Sequence, residues 1–319
     1  MLHSPAMASS QHGQAGSPGQ SSDAPEPEIP EPEIPEPEVP GLDATGPEDR
    51  RGTVIGPGSN PGAHRWSERL AEWAIPEEIL TQAPEPPWGF SPAVFRASAR
   101  RPDPDSPSLR VEREVLAGGG DVLDVGCGGG AAGLALVPPA TQVIGFDPSP
   151  DLLAAFEADA SEAGVAHSSV AGTWPDDAAE APSVDLVVCH HVVYNVPSIE
   201  PFVVALDDHA RRRVVVELTA RHPLCAATPL WRRFWGIERP DGPTVEDFLA
   251  VLQGLGLGVR CARRRRPLVR DRTDPAHIAM VRRQLCLPAE SDGEVARALA
   301  DLDDESTEVV TIWWDPTRP

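Results

Sequence analysis

The sequence contains no lysine; all 27 of its basic residues are arginine. A Tyr-x-x-x-Lys pair, as some nicotinamide oxidoreductases use, is therefore excluded. Tyr194 is the only tyrosine. The five cysteines, Cys127, Cys189, Cys225, Cys261 and Cys286, form no C-x-x-C pair. They suit neither a disulfide frame nor a zinc site, and no metal is expected; free thiols fit a reducing compartment. No apolar run is long enough to cross a bilayer. The first residues show no basic segment followed by an apolar core. The expected location is cytoplasmic, with no membrane partner. Basic charge is also short: 27 arginines face 49 acids, for a net charge of −22. Such a field repels nucleic acid, so a nucleic-acid partner is not expected.

Proline, by contrast, is abundant in residues 1–62. Three five-residue Pro/Glu repeats run from Glu26 to Pro40. Proline removes donors and blocks helix, while the glutamates repel and extend the chain. A disordered acidic tail is expected there, either a solvated arm or a partner-binding spacer. Residues 63–105 read as a helical segment. Trp66, Leu70, Trp73 and Ala74 recur at helical spacing, and Trp88, Phe90 and Phe95 follow in a loop suited to packing or to a lid. Residues 106–319 read as one catalytic domain. Its first helix begins at Ser106-Pro107, a capping residue followed by proline.

The chain is organised around Asp121 to Leu136, DVLDVGCGGGAAGLAL. An apolar strand, a glycine turn and a helix start form the unit that binds nucleotides in doubly wound sheets. Gly128, Gly130 and Gly133 satisfy G-x-G-x-x-G, so a dinucleotide is one reading. Asp124 argues for another ligand, because a carboxylate in the turn repels pyrophosphate and suits a cation. The order D-x-G-x-G-x-G, at Asp124, Gly126, Gly128 and Gly130, resembles the first motif of the class I S-adenosylmethionine-dependent methyltransferases. The resemblance runs from about Leu109 to Trp314.

It implies an α/β fold, a doubly wound seven-stranded mostly parallel sheet of Rossmann-like type with a helical N-terminal extension. The last strand is expected antiparallel between the fifth and sixth. It implies S-adenosylmethionine as cofactor, with Asp124, Gly126, Cys127, Gly128 and Gly130 around its methionine and ribose. Asp147 ends the second expected strand, Thr141 to Phe146. It stands about twenty residues after the turn, where an acid takes both ribose hydroxyls; Pro148 is its neighbour. An adenine-binding acid is usual near residue 173, but Thr173 occupies that place. Trp174 suits either stacking on adenine or the core.

The expected fourth strand, Val184 to Cys189, delivers His190 and His191 to the carboxyl edge of the sheet, where ligands lie. Neighbours on an extended chain point opposite ways, so one imidazole is expected to face the pocket. Where an acceptor must lose a proton, a histidine is the natural base. His190 and His191 come first as catalytic candidates, then His222 and Glu217. Glu217, inside the expected fifth strand, either pairs with a nearby arginine or points into the cavity near His222. The sixth strand is expected at Leu257 to Ala262, and Arg263 to Arg266 read as a solvated edge. The expected function is methyl transfer to a small molecule, with a protein acceptor as second choice. A nicotinamide-dependent oxidoreductase and a non-catalytic cofactor-binding module are the rival readings.

Overall fold

The computed structural model describes residues 60–87, 103–267, 272–302 and 306–316. The expected tail up to residue 59 lies outside the described residues, as do Trp88, Phe90 and Phe95. Seven strands form one sheet: β1 Asp121–Val125, β2 Gln142–Asp147, β3 Ala166–Ala171, β4 Val184–His190, β5 Ala210–Thr219, β6 Arg260–Pro267 and β7 Ser306–Trp314. Their spatial order is β3-β2-β1-β4-β5-β7-β6. Strands β1 to β5 pair in parallel, and β7 enters antiparallel between β5 and β6. This is the expected doubly wound sheet, inserted last strand included.

Alternation along the strands feeds two cores. Val122, Val143, Leu186, Val188 and Val215 face helices α3 Pro107–Val115, α4 Ala131–Leu134 and α5 Pro150–Ala163. Leu123, Phe146, Val187, Cys189 and Val216 face the other side. There they meet α6 Ile199–His209, α8 Val245–Gly254 and α1 Pro61–Ala71. Helix α1 is part of that core rather than a lid. Trp66 is fully buried, and its indole N–H donates to the Val196 carbonyl at 2.9 Å. A Cβ on Gly62 would fall 2.6 Å from the backbone of Ala250, so α1 and α8 cross too closely for any side chain there.

A third core is purely helical. It joins α2 Glu77–Leu80, α7 Thr228–Trp235, α9 Pro275–Gln284 and α10 Asp292–Ala300 around Ile79, Trp231, Leu285 and Leu299. Arg239 stitches it to the N-terminal segment, its guanidinium 5.1 Å and 4.9 Å from the rings of Trp73 and Trp231. Such cation–π contacts gain strength where water is excluded. Among the described residues, no helix is long and apolar enough to cross a membrane.

Strand β6 departs from expectation. It begins three residues later than the apolar run at Leu257 and takes in all four arginines of 263–266. Pairing decided this: Arg263 to Arg266 lie opposite Val310 to Thr307 of β7, while Leu257 and Val259 pack against the core below. Backbone hydrogen bonds to a neighbour outweighed side-chain composition.

Candidate active site

The glycine turn between β1 and α4 holds three left-handed residues, Gly126, Gly128 and Gly130, at φ of 71°, 53° and 84°. Only glycine adopts such angles in succession without strain. Tight packing adds a second demand at Gly126, where a Cβ would meet Val192 at 2.4 Å. Gly129, in contrast, faces open space. Asp147 closes the turn from β2. Its carboxylate accepts the Gly128 N–H and the Ser149 N–H, each at 2.9 Å. One acceptor site remains on each oxygen, since a carboxylate offers about four. Pro148 beside it is exposed.

Asp124 does not stand where the ligand-cation argument places it. Its side chain is buried and accepts the Gly133 N–H at 2.8 Å, tying the strand to the helix start. Burial pushes its pKa up to about 6, against the pull of the Gly133 bond and of His190. A carboxylate so committed braces the turn rather than lining it. Cys127 is likewise buried, with its thiol pushed up by desolvation and by the charges of Asp124 and Asp147.

Further along the carboxyl edge, two histidines meet two glutamates. Glu217 of β5 is the register partner of His190, so both project toward α3. The His190 Nε2–H donates to Glu112 of α3 at 2.8 Å. Burial opposes the imidazolium, but Glu112, then Glu217 and Asp124, raise its pKa to about 9. At neutral pH His190 therefore keeps its proton, which corrects its assignment as a base.

His191 would point to the opposite face if the strand simply continued. Instead it adopts φ of 59°. Left-handed backbone is uncommon for a residue with a Cβ and marks a constrained site. The turn brings His191 Nε2 to 3.2 Å from Glu217 Oε1. The other Glu217 oxygen accepts the Ser108 hydroxyl at 2.6 Å and a longer bond from Ser106 at 3.4 Å. Burial works against the Glu217 anion. The His191 bond, the charges of His190 and His191, and the Ser108 bond win, and hold it well below the usual carboxylate range.

Ser106 was expected to cap α3, but its side chain makes no cap bond and turns to Ser108 and Glu217. Glu112 and Ser108 were missed in the sequence. Their signal was a pair of polar residues four apart on the buried face of α3, beside Leu109.

His222 is elsewhere. It stacks on Trp73 at 4.2 Å and meets Tyr194 edge-on, while its Nδ1 accepts the Leu224 N–H. Burial, then Arg239, lower its pKa to about 4, and it packs as a neutral ring. Glu217 pairs neither with it nor with Arg211 or Arg213, which bind Asp121 and Asp315. The Tyr194 hydroxyl is buried on Thr219, so it does not line a cavity. Trp174 is also in the core. Its N–H donates to the Phe202 carbonyl at 3.2 Å and its ring meets Phe146 edge-on, which leaves no face for adenine. Thr173 is exposed, with its N–H held by Asp177.

Residues 122–212 match a family described as Methyltransferase domain. That stretch is a methyltransferase domain, set in a sheet whose strand order is that of class I. Its methyl donor is S-adenosylmethionine, as the glycine turn and the sheet order of this class imply. A comparison with curated proteins finds no match. Similar solved structures include the YcgJ protein of Bacillus subtilis, 16% identical, with a TM-score of 0.46 over 66% of this chain and 99% of that one. Another is a SAM-dependent methyltransferase of Thiobacillus denitrificans in complex with S-adenosyl-L-homocysteine. It is 18% identical, with a TM-score of 0.45 over 71% of this chain and all of that one. A third is the magnesium protoporphyrin IX methyltransferase of Synechocystis, at 14% identity and a TM-score of 0.42, covering 79% of this chain and 96% of that one. The methyltransferase domain's own residues fit a nucleoside donor: Asp147 keeps two acceptor sites for ribose hydroxyls, and Gly129 beside it leaves room.

Proposed function

We propose that this methyltransferase domain methylates a small molecule at an oxygen, nitrogen or carbon that must first lose a proton, and that His191 takes that proton. The observation that carries the reading is the bent backbone at His191, which presses its imidazole against an anionic Glu217. Bound S-adenosylmethionine supplies an activated methyl on a sulfonium. The protein has to align donor and acceptor and keep water out. Asp147 would hold the ribose, and the turn backbone at Gly126, Gly128 and Gly130 would lie against the rest of the donor. With its Nε2–H donated to Glu217, His191 keeps Nδ1 free to accept a proton. Its side chain is 37% exposed, so an acceptor can reach it. Glu217 fixes the tautomer and the ring's orientation, as an acid does behind a catalytic histidine. His190, already cationic beside Glu112, serves as a fixed positive charge at the sheet edge.

A small acceptor is favoured over nucleic acid by the net charge of −22. Five free cysteines suit a reducing compartment and support a cytoplasmic location. The test is calorimetry of the full chain with S-adenosylhomocysteine and, separately, NAD. Heat with the first that disappears in Asp147→Ala is the expected result. Heat with NAD alone, or with neither, overturns the donor assignment. Binding combined with undiminished methyl transfer in His191→Ala overturns the base assignment alone.

A further inference from the structure

Strand β6 is the outer edge of the sheet, and its arginines alternate. Arg263 donates to Glu246 of α8 at 2.9 Å and to Glu308 at 3.0 Å. Arg264 and Arg266 turn the other way, into a cleft they share with Asp103, Ser106, Glu217 and Thr311. Glu217 is the acid that holds His191, so this cleft adjoins the base. Arg264 Nη2 lies 2.5 Å from Asp103 Oδ2, and the two side chains are 33% and 47% exposed. A pair so hydrated contributes little and exchanges partners readily. No ion pair or hydrogen bond joins Arg266 to another described residue, and it is exposed. Glu217 makes no hydrogen bond to it, its oxygens being bonded to Ser108, Ser106 and His191, and Asp103 acts on Arg266 only through charge.

We propose that the acceptor carries an oxyanion, a carboxylate or phosphate, and that Arg266 binds it in this cleft with Arg264 released from Asp103 as second donor. The inference rests on the reading of His191 as the base, with Glu217 shared between it and this cleft. Guanidinium groups present a planar fork of donors that matches a carboxylate or phosphate. In a chain of net charge −22, stray anions are repelled. A cation without a hydrogen-bonded partner, in a cleft that Glu217 also lines, therefore selects for a ligand of opposite sign. Protection of an edge strand by charge is the competing account. Arg263 and Arg265, on the face away from the cleft, already meet that need.

The test uses the full chain and three probes on one ring: 4-fluorobenzoate, 4-fluorophenyl phosphate and 4-fluorobenzamide, followed by fluorine NMR line broadening. The expected result is saturable binding of at least one oxyanion and not of the amide. Arg266→Gln should weaken it roughly tenfold or more, as loss of a charge-assisted pair does. Asp103→Asn should tighten it by freeing Arg264, an effect a merely structural arginine would not give. Arg263→Gln should match the parent. Whichever of benzoate and phosphate binds names the oxyanion. Amide binding equal to benzoate, no binding of either oxyanion, or an Arg266→Gln curve identical to the parent overturns the inference. S-adenosylhomocysteine titrated into the same samples keeps the two readings apart. Heat without oxyanion binding sinks the acceptor class alone, and oxyanion binding without heat sinks the donor assignment alone.

Discussion

The two ends of the carboxyl edge treat a buried acid in opposite ways. At the donor end, Asp124 has one backbone N–H and no cationic hydrogen-bond partner, and burial lifts its pKa to about 6. At the other end, the proposed acceptor end, Glu217 is almost as buried but has a histidine and two serine hydroxyls, and it is held well below the ordinary value. Burial alone thus does not set the charge of an acid; the donors aimed at it do. The donor end is a brace built of backbone, and the acceptor end is a network of side chains.

The sharpest way to break this contrast is His191→Ala. Loss of a general base costs about 10²–10⁴-fold in kcat. Steady-state methyl transfer should show that loss while calorimetric affinity for S-adenosylhomocysteine stays near the parent value. A comparable loss of cofactor affinity would mean that the two ends are not separate.

Next in size is Glu217→Ala against Asp124→Asn. The first leaves His190 and His191 short of their anion and should cost on the order of 3–5 kcal/mol in urea unfolding. The second keeps an acceptor for Gly133 and should cost less than about 1 kcal/mol at pH 7. Equal costs would remove the distinction.

The pH profile of stability tests both ends together. Asp124 rises from 3.8 to about 6 on folding, so its contribution is full below 3.8 and is lost as pH climbs through 6. His190 rises from 6.5 to about 9, so its contribution is full below 6.5 and is lost as pH climbs through 9. Each window is worth on the order of 3 kcal/mol. Asp124→Asn should flatten the first window, and Glu112→Gln should flatten the second. A single window removed by either variant would show that the ends titrate as one.

The smallest effect belongs to Ser106→Ala. A helix cap is worth about 1 kcal/mol. Ser106 makes no cap bond, reaches Glu217 only at 3.4 Å and shares one part-buried hydroxyl bond with Ser108 at 2.6 Å, so no more than about 1 kcal/mol is expected in the same urea titration.

The donor end was legible because its demands are local. A turn that needs left-handed backbone at Gly126, Gly128 and Gly130 writes itself into consecutive residues, and Asp147 follows at a fixed interval. Alternation and helical spacing likewise gave the seven strands and most helices. The acceptor end was only half legible. His191 and Glu217 stood out as polar residues at strand ends, but nothing near them in sequence names Ser108 or Glu112, over 75 residues away from His190. Tertiary packing also hid the roles of Trp174 and His222, whose rings look available until Phe202 and Phe146 meet the first and Trp73 stacks on the second.

By itself, then, the sequence determined what short-range sterics and periodicity dictate: the strands and helices, a glycine turn, and acids at strand ends; the doubly wound order and the nucleoside donor followed from the motif's resemblance to a family. Only the tertiary structure decided which of those acids and histidines are charged and what they face. Charge is set by partners brought together across the sheet, and backbone pairing with β7, not composition, turned Arg264 and Arg266 toward the cleft that Glu217 lines.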